Sequence, residues 1–128
     1  MRIALIAQDK KKEQMVRFCL TNAGILSEHK LFATGTTGKM VEEYTGLQVH
    51  RYMTGRQGGE QQISARIACG ELDMLILFRD SLSFMHTSLY DDMLRLCDTH
   101  NIPYATNQAS AEALLYALEQ GKIGPKSE

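Results

Sequence analysis

Ile3-Ala4-Leu5-Ile6-Ala7 is an unbroken apolar run, and the stretch that follows, Lys10 to Ala23, places Met15, Val16, Cys19, Leu20 and Ala23 on one helical face. A strand without polar alternation is buried on both faces, as in a parallel sheet covered by helices. Gly24 is expected to close the helix. The same grammar repeats along the chain. Strand Leu31–Ala33 precedes helix Gly38–Tyr44, strand Leu47–Tyr52 precedes helix Glu60–Cys69, and Asp73–Phe78 is the most apolar strand of the set. A polar loop from Arg79 to Ser88 leads to helix Leu89–His100, strand Ile102–Ala105 and a last helix, Ala109–Gln120. Five strand–helix units with right-handed crossovers predict a three-layer, doubly wound α/β fold on a mainly parallel five-stranded sheet. Residues 1–120 read as a single domain and 121–128 as a polar tail that frays.

Composition bounds the function. The chain has 128 residues, 44% of them hydrophobic, enough for a core without metals or disulfides. The net charge is −1 and the longest basic tract is Lys10-Lys11-Lys12, which argues against nucleic acid as a partner. Cys19, Cys69 and Cys97 have no paired spacing and read as small apolar core residues of a reducing compartment. The first residues are too short an apolar run for a signal peptide, and no segment approaches the ~20 residues that cross a membrane, so a cytoplasmic location is expected. Asp91 and Asp92 read as solvated helix positions, and His29, His50 and His100 as surface histidines.

In a doubly wound sheet ligands bind at the carboxyl ends of the strands. Those ends carry Gln8-Asp9 with Lys12 just beyond, Thr34-Gly35-Thr36-Thr37-Gly38, Thr54-Gly55 followed by Gly58-Gly59-Glu60, Asp80 with His86 beyond, and Thr106-Asn107. Glycines admit a ligand close to the backbone, hydroxyls donate, and the free N–H groups of a helix start favour an anion. Two such cradles with a lysine, carboxylates and a histidine on one rim point to a phosphorylated small molecule and a proton-transfer step. Each residue also has a plain structural reading: Glu60 as a first-turn carboxylate favoured by the helix dipole, Asp80 as a loop starter, His86 as a surface histidine.

Ala4 to Lys12, Ala33 to Gly38, Gly58-Gly59-Glu60-Gln61-Gln62-Ile63, Phe78-Arg79-Asp80-Ser81-Leu82 and Asn101 to Asn107, taken in order over nearly the whole chain, resemble methylglyoxal synthase. The resemblance implies a homohexamer without metal or other cofactor that converts dihydroxyacetone phosphate into methylglyoxal and inorganic phosphate. It implies a phosphate site at Lys12, Thr34, Gly35, Thr36, Thr37, Thr54 and Gly55, a catalytic base at Glu60, and supporting roles for Asp9, Asp80 and His86. Inorganic phosphate is then product or regulator.

The chain departs from the family pattern near the chemistry. Gln8 stands where the family has histidine, its amide still able to donate to substrate oxygens. Glu60 and Leu89 stand where it has aspartates, Thr54 replaces a serine, and Arg56, Ser81 and Met85 replace prolines that stiffen its loops. A non-catalytic or regulatory phospholigand-binding domain of this fold, such as the one that ends carbamoyl phosphate synthetase, is the competing reading. A receiver domain is disfavoured, because the third strand ends in Met53-Thr54-Gly55 with no phosphoacceptor aspartate.

Overall fold

The computed structural model describes residues 1–125. Strands β1 (Arg2–Ala7), β2 (Lys30–Ala33), β3 (Val49–Arg51), β4 (Met74–Phe78) and β5 (Tyr104–Ala105) form one sheet in the order β3-β2-β1-β4-β5. Every pairing is parallel. Order reverses between β1 and β4, the switch point of a doubly wound sheet.

Alternation along the central strands divides the core in two. Ile3, Leu5 and Ala7 of β1, with Met74, Ile76 and Phe78 of β4, face helices α1 (Lys12–Thr21), α3 (Gly35–Thr45) and α6 (Gln108–Glu119). Ala4, Ile6, Leu75 and Leu77 face α4 (Gly59–Ala68) and α5 (Thr87–Thr99). The register is clamped at the far end from the site: buried Asp73 accepts from Arg2 N–H at 2.7 Å and from Arg2 Nε at 3.0 Å, just before the Ile3–Met74 pair.

Several local expectations shift. The first helix does not run on to Gly24. It ends at Thr21, Asn22 turns its side chain back onto the Phe18 carbonyl (2.9 Å) and onto Glu112 of α6 (3.2 Å), and Gly24 lies inside a short second helix, α2 (Ala23–Leu26). Competition of an Asn side chain for backbone groups is what breaks the helix there. Phe18, not Leu20, completes the buried stripe: Leu20 is 55% exposed, one step round the helix. Cys19 and Cys97 are core thiols that burial pushes up to about 12, whereas Cys69, at the end of α4, is exposed and not core. His29 is not a free surface group, since its Nδ1 lies 2.8 Å from the N-terminal ammonium. His50, on edge strand β3 against Phe32 and Tyr52, is exposed as expected, and His100 follows α5 directly. The loop after β4 is less polar than expected, with Leu82 and Phe84 nearly fully exposed. Gly121 to Pro125 do not simply fray, because Ile123 packs on the core; the rest of the expected tail lies outside the described residues.

Two loops that shape the site are stitched by main chain. The Gly35 N–H donates to the Met53 carbonyl at 2.9 Å, and the Gly59 N–H donates to the Thr54 carbonyl at 2.9 Å. A Cβ on Gly59 would lie 1.8 Å from that same Met53 oxygen. Gly59→Ala is therefore expected to destabilise the fold by about 3 kcal/mol or more. Gly24→Ala, with nothing within 4 Å of its Cβ position, should stay within about 1 kcal/mol of the native protein. Urea unfolding of both variants checks this pair.

Candidate active site

A cavity of about 940 Å³ opens at the carboxyl ends of β1 to β4. Gln8, Asp9 and Lys12 enter from β1, Thr34 and Thr36 from the start of α3, Thr54, Gly55 and Glu60 from the segment between β3 and α4, and Asp80 and His86 from the loop after β4. These residues, singled out in the sequence, thus meet, with two exceptions in role; Thr106 and Asn107 stay outside the cavity, where the Asn107 side chain caps α6 by accepting from the Ser110 N–H at 2.9 Å.

The hydroxyl–glycine run is the first turn of α3 itself, not a loop ahead of it, with Thr34 as the extended residue before the helix. Gly35 N–H is already spent on Met53, but those of Thr36 and Thr37 belong to the helix positions that have no intrahelical acceptor. Thr37 is buried and does not line the cavity. Its hydroxyl accepts from Lys12 Nζ at 3.1 Å, so it holds the lysine. Lys12 also donates to the Ala7 carbonyl at 2.7 Å and lies 3.6 Å from Asp9. Burial lowers the Lys12 ammonium below the ordinary lysine range, and the neighbouring Asp9 opposes that shift. The Asp9 side chain itself is 92% exposed.

Gln8 is the second exception. Its amide is occupied within the protein: Oε1 accepts from the Asp80 N–H at 2.6 Å and Nε2 donates to the Met85 carbonyl at 3.3 Å. The side chain ties the end of β1 across to the loop after β4. Asp80 in turn accepts from the Leu82 N–H at 3.0 Å, an Asx turn that starts this loop. His86 is exposed, in left-handed conformation (φ 62°) at the start of α5, with its ring 6.1 Å from that of Tyr90.

Glu60 sits in the first turn of α4 and is 92% buried, by its 8% exposure. Its carboxylate lies over Gly55, where a Cβ would come within 2.9 Å of Oε1 and push it aside. Oε2 is buried with no hydrogen-bond partner. A buried acceptor left unpaired costs about 1–3 kcal/mol, more when charged, which marks the position as one shaped for something other than stability. Tyr90, which the sequence reading took only as part of a helix, also lines the cavity. Its sole sequence signal was its place one turn ahead of Met93 on an apolar stripe. Asp91 and Asp92 are exposed and outside the cavity, so neither brings into it the charge that Leu89 lacks.

Fold and cavity define a class: a doubly wound α/β domain presenting a helix start, a half-buried lysine and a buried carboxylate at its switch point. Comparisons with known proteins narrow this. Residues 15–106 match the family described as MGS-like domain. Methylglyoxal synthase of Caldicellulosiruptor saccharolyticus is 53% identical over 96% of this chain and 88% of its own length, and that of Bacillus anthracis 54% identical over 96% and 95%. A crystal structure of methylglyoxal synthase from Elizabethkingia anophelis superposes with a TM-score of 0.80 at 40% identity, over 89% of this chain and 76% of that one. The chain belongs to the methylglyoxal synthase family.

If Gln8 is the tie between two strand ends, Gln8→Leu should free the loop after β4. Amide hydrogen exchange at Asp80 is expected to quicken roughly tenfold, with faster exchange spreading toward His86 and the β1 core unchanged.

Proposed function

We propose that the protein converts dihydroxyacetone phosphate into methylglyoxal and inorganic phosphate, with Glu60 as the base and the first turn of α3 as the phosphate site. The observation that carries this reading is the buried Glu60 oxygen without a partner, in the same cavity as Lys12 and the free N–H groups of α3. Phosphate fits the donors: Lys12, the hydroxyls of Thr34 and Thr36, that of Thr54 once it leaves its 3.1 Å bond to Gln57 Oε1, and backbone N–H groups at Thr36, Thr37 and Gly55. Gly35 serves by its close packing against Thr54, and Thr37 by holding Lys12.

With phosphate so held, Glu60 takes a proton from the carbon next to the ketone, and the C–H electron pair becomes the double bond of an enediolate. The hydroxyl on that carbon then gives up its proton and becomes the aldehyde, the enediolate double bond shifts onto the phosphate-bearing carbon, and the carbon–oxygen bond to phosphate breaks with its electrons leaving on inorganic phosphate. Protonation of the resulting methylene carbon gives methylglyoxal. His86, which lines the same cavity, donates to the enediolate oxygens. Asp9 balances the Lys12 charge, and Asp80 shapes the loop that carries His86. Gln8 acts through that loop.

Coupled assay of phosphate and methylglyoxal release is the test. The native protein should turn over, Glu60→Gln should lose at least about a thousandfold in kcat, and its phosphate affinity should stay within a few fold because the donors are untouched. Binding of phosphate without any turnover by the native protein would leave a phospholigand-binding domain instead. Phosphate at a hundred times its Kd should stabilise the fold by about 2.7 kcal/mol, and Lys12→Ala should remove most of this. The lowered Lys12 pKa sets a sign: as pH rises, the ammonium loses its proton before an ordinary lysine would, so phosphate affinity should fall on the alkaline side, and Lys12→Ala should abolish that limb.

We further infer a homo-oligomer, a hexamer by the family resemblance. The exposed apolar side chains of Leu82, Phe84, Met85 and Tyr116 support it. Sedimentation at micromolar concentration should give a species several times 14.4 kDa, and a lone 14.4 kDa species would refute it. A cytoplasmic location, checked by cell fractionation, fits the bacterial relatives. Among the described residues no helix is long and apolar enough to cross a membrane.

A further inference from the structure

Tyr90 lies in the first turns of α5 and is 2% exposed. Its ring heads the stripe continued by Met93 and Cys97, packed with Ile63 and Ile67 of α4. Phenylalanine would serve that packing equally well. The hydroxyl is what phenylalanine lacks, and it reaches the cavity wall facing Glu60.

Across from it stands an acceptor in need of a donor. An ionised carboxylate has only lone pairs to offer, and Glu60 Oε2 has no hydrogen-bond partner while Oε1 is pressed over Gly55. Burial, reinforced by the facing Glu60 charge, holds the Tyr90 phenol well above its ordinary range, so the hydroxyl keeps its proton at neutral pH. A glutamate also has three side-chain torsions, and a base that must meet one particular C–H bond needs them arrested; a displacement of about 1 Å can cost on the order of a hundredfold. Gly55 bounds the carboxylate on one side only.

We propose that Tyr90 is a positioning residue for Glu60: its hydroxyl donates to the carboxylate and holds it over Gly55, aimed at the carbon that gives up its proton. The proposal rests on the reading of Glu60 as the base. Tyr90 acts on the carboxylate, and substrate contact is not required of it.

Tyr90→Phe preserves the ring and removes the donor. Its kcat on dihydroxyacetone phosphate should fall roughly ten- to a hundredfold, while the Kd for inorganic phosphate stays within about twofold of the native value. In a Glu60→Asp background, whose shorter stem withdraws the carboxylate from Tyr90, the loss on adding Tyr90→Phe should shrink by at least about threefold. A second measurement leaves Tyr90 in place and needs no turnover. With tyrosine labelled at 13Cζ, the Tyr90 resonance should be displaced in Glu60→Gln relative to the native protein. Unchanged kcat in Tyr90→Phe, a loss equally large in the aspartate background, or a 13Cζ resonance indifferent to Glu60→Gln would each overturn the proposal. Absence of turnover in the native protein would sink the reaction assignment and not the contact, which the resonance decides by itself.

Discussion

Strand β1 is hydrogen-bonded on both sides, to β2 and to β4, and the chain leaves the carboxyl ends of β1 and β4 toward opposite faces of the sheet. That divergence opens the crevice in which the site lies. A parallel pairing buried on both faces tolerates no slip, since moving one strand by a residue would exchange Leu5 and Ile6 between two cores already filled. The Arg2–Asp73 clamp fixes this register at one end. At the other, the Gln8 N–H donates to the Phe78 carbonyl at 3.0 Å while its side chain reaches Asp80 and Met85. The central pair of strands thus sets where Asp9, Lys12 and Asp80 stand relative to one another.

Close backbone approach does the same for the other wall. Gly59 lies against the Met53 carbonyl, where any Cβ would collide, and Gly55 under the Glu60 carboxylate, where a Cβ would push the carboxylate aside. Small residues there bring the start of α4 near the start of α3, so that a carboxylate and a helix N-terminus share one cavity. The cost is a buried charge without full hydrogen bonding and a lysine partly stripped of water. Two continuous apolar clusters, one on each sheet face, offset it. A buried carboxylate oxygen without a partner and a lysine partly stripped of water, gathered in one cavity, are what a reactive site looks like in a folded chain.

How much of this was legible depended on whether the signal was local. Ile3 to Ala7 and Asp73 to Phe78 announced central strands because unbroken apolar runs have few other uses, and their burial followed. Thr34 to Gly38 and Gly58-Gly59-Glu60 announced helix starts at strand ends, which places them on one rim in any doubly wound sheet. Boundaries were less legible: the Asn22 side chain that ends α1 at the Phe18 carbonyl also reaches Glu112, ninety residues away, and no local pattern contains that second bond. Leu20 and Phe18 were misjudged because both are apolar and the helix phase was assigned without knowing which face α3 and α6 would cover. Cys69 was read as core on residue type alone.

Residue types and their spacing determined by themselves the order of elements, the parallel sheet, the rim that carries the chemistry and the family to which the chain belongs, since these follow from periodicity and from short motifs. Only tertiary structure decided what each polar group is bonded to. Gln8 proved to be a tie between strand ends, Thr37 a partner of Lys12, and Tyr90 a neighbour of Glu60, all across contacts of twenty-five residues or more in sequence. A side chain's hydrogen-bonding capacity is written in its identity, but its partner is set by which backbones are brought within about 3 Å, and that is a property of the whole packed chain.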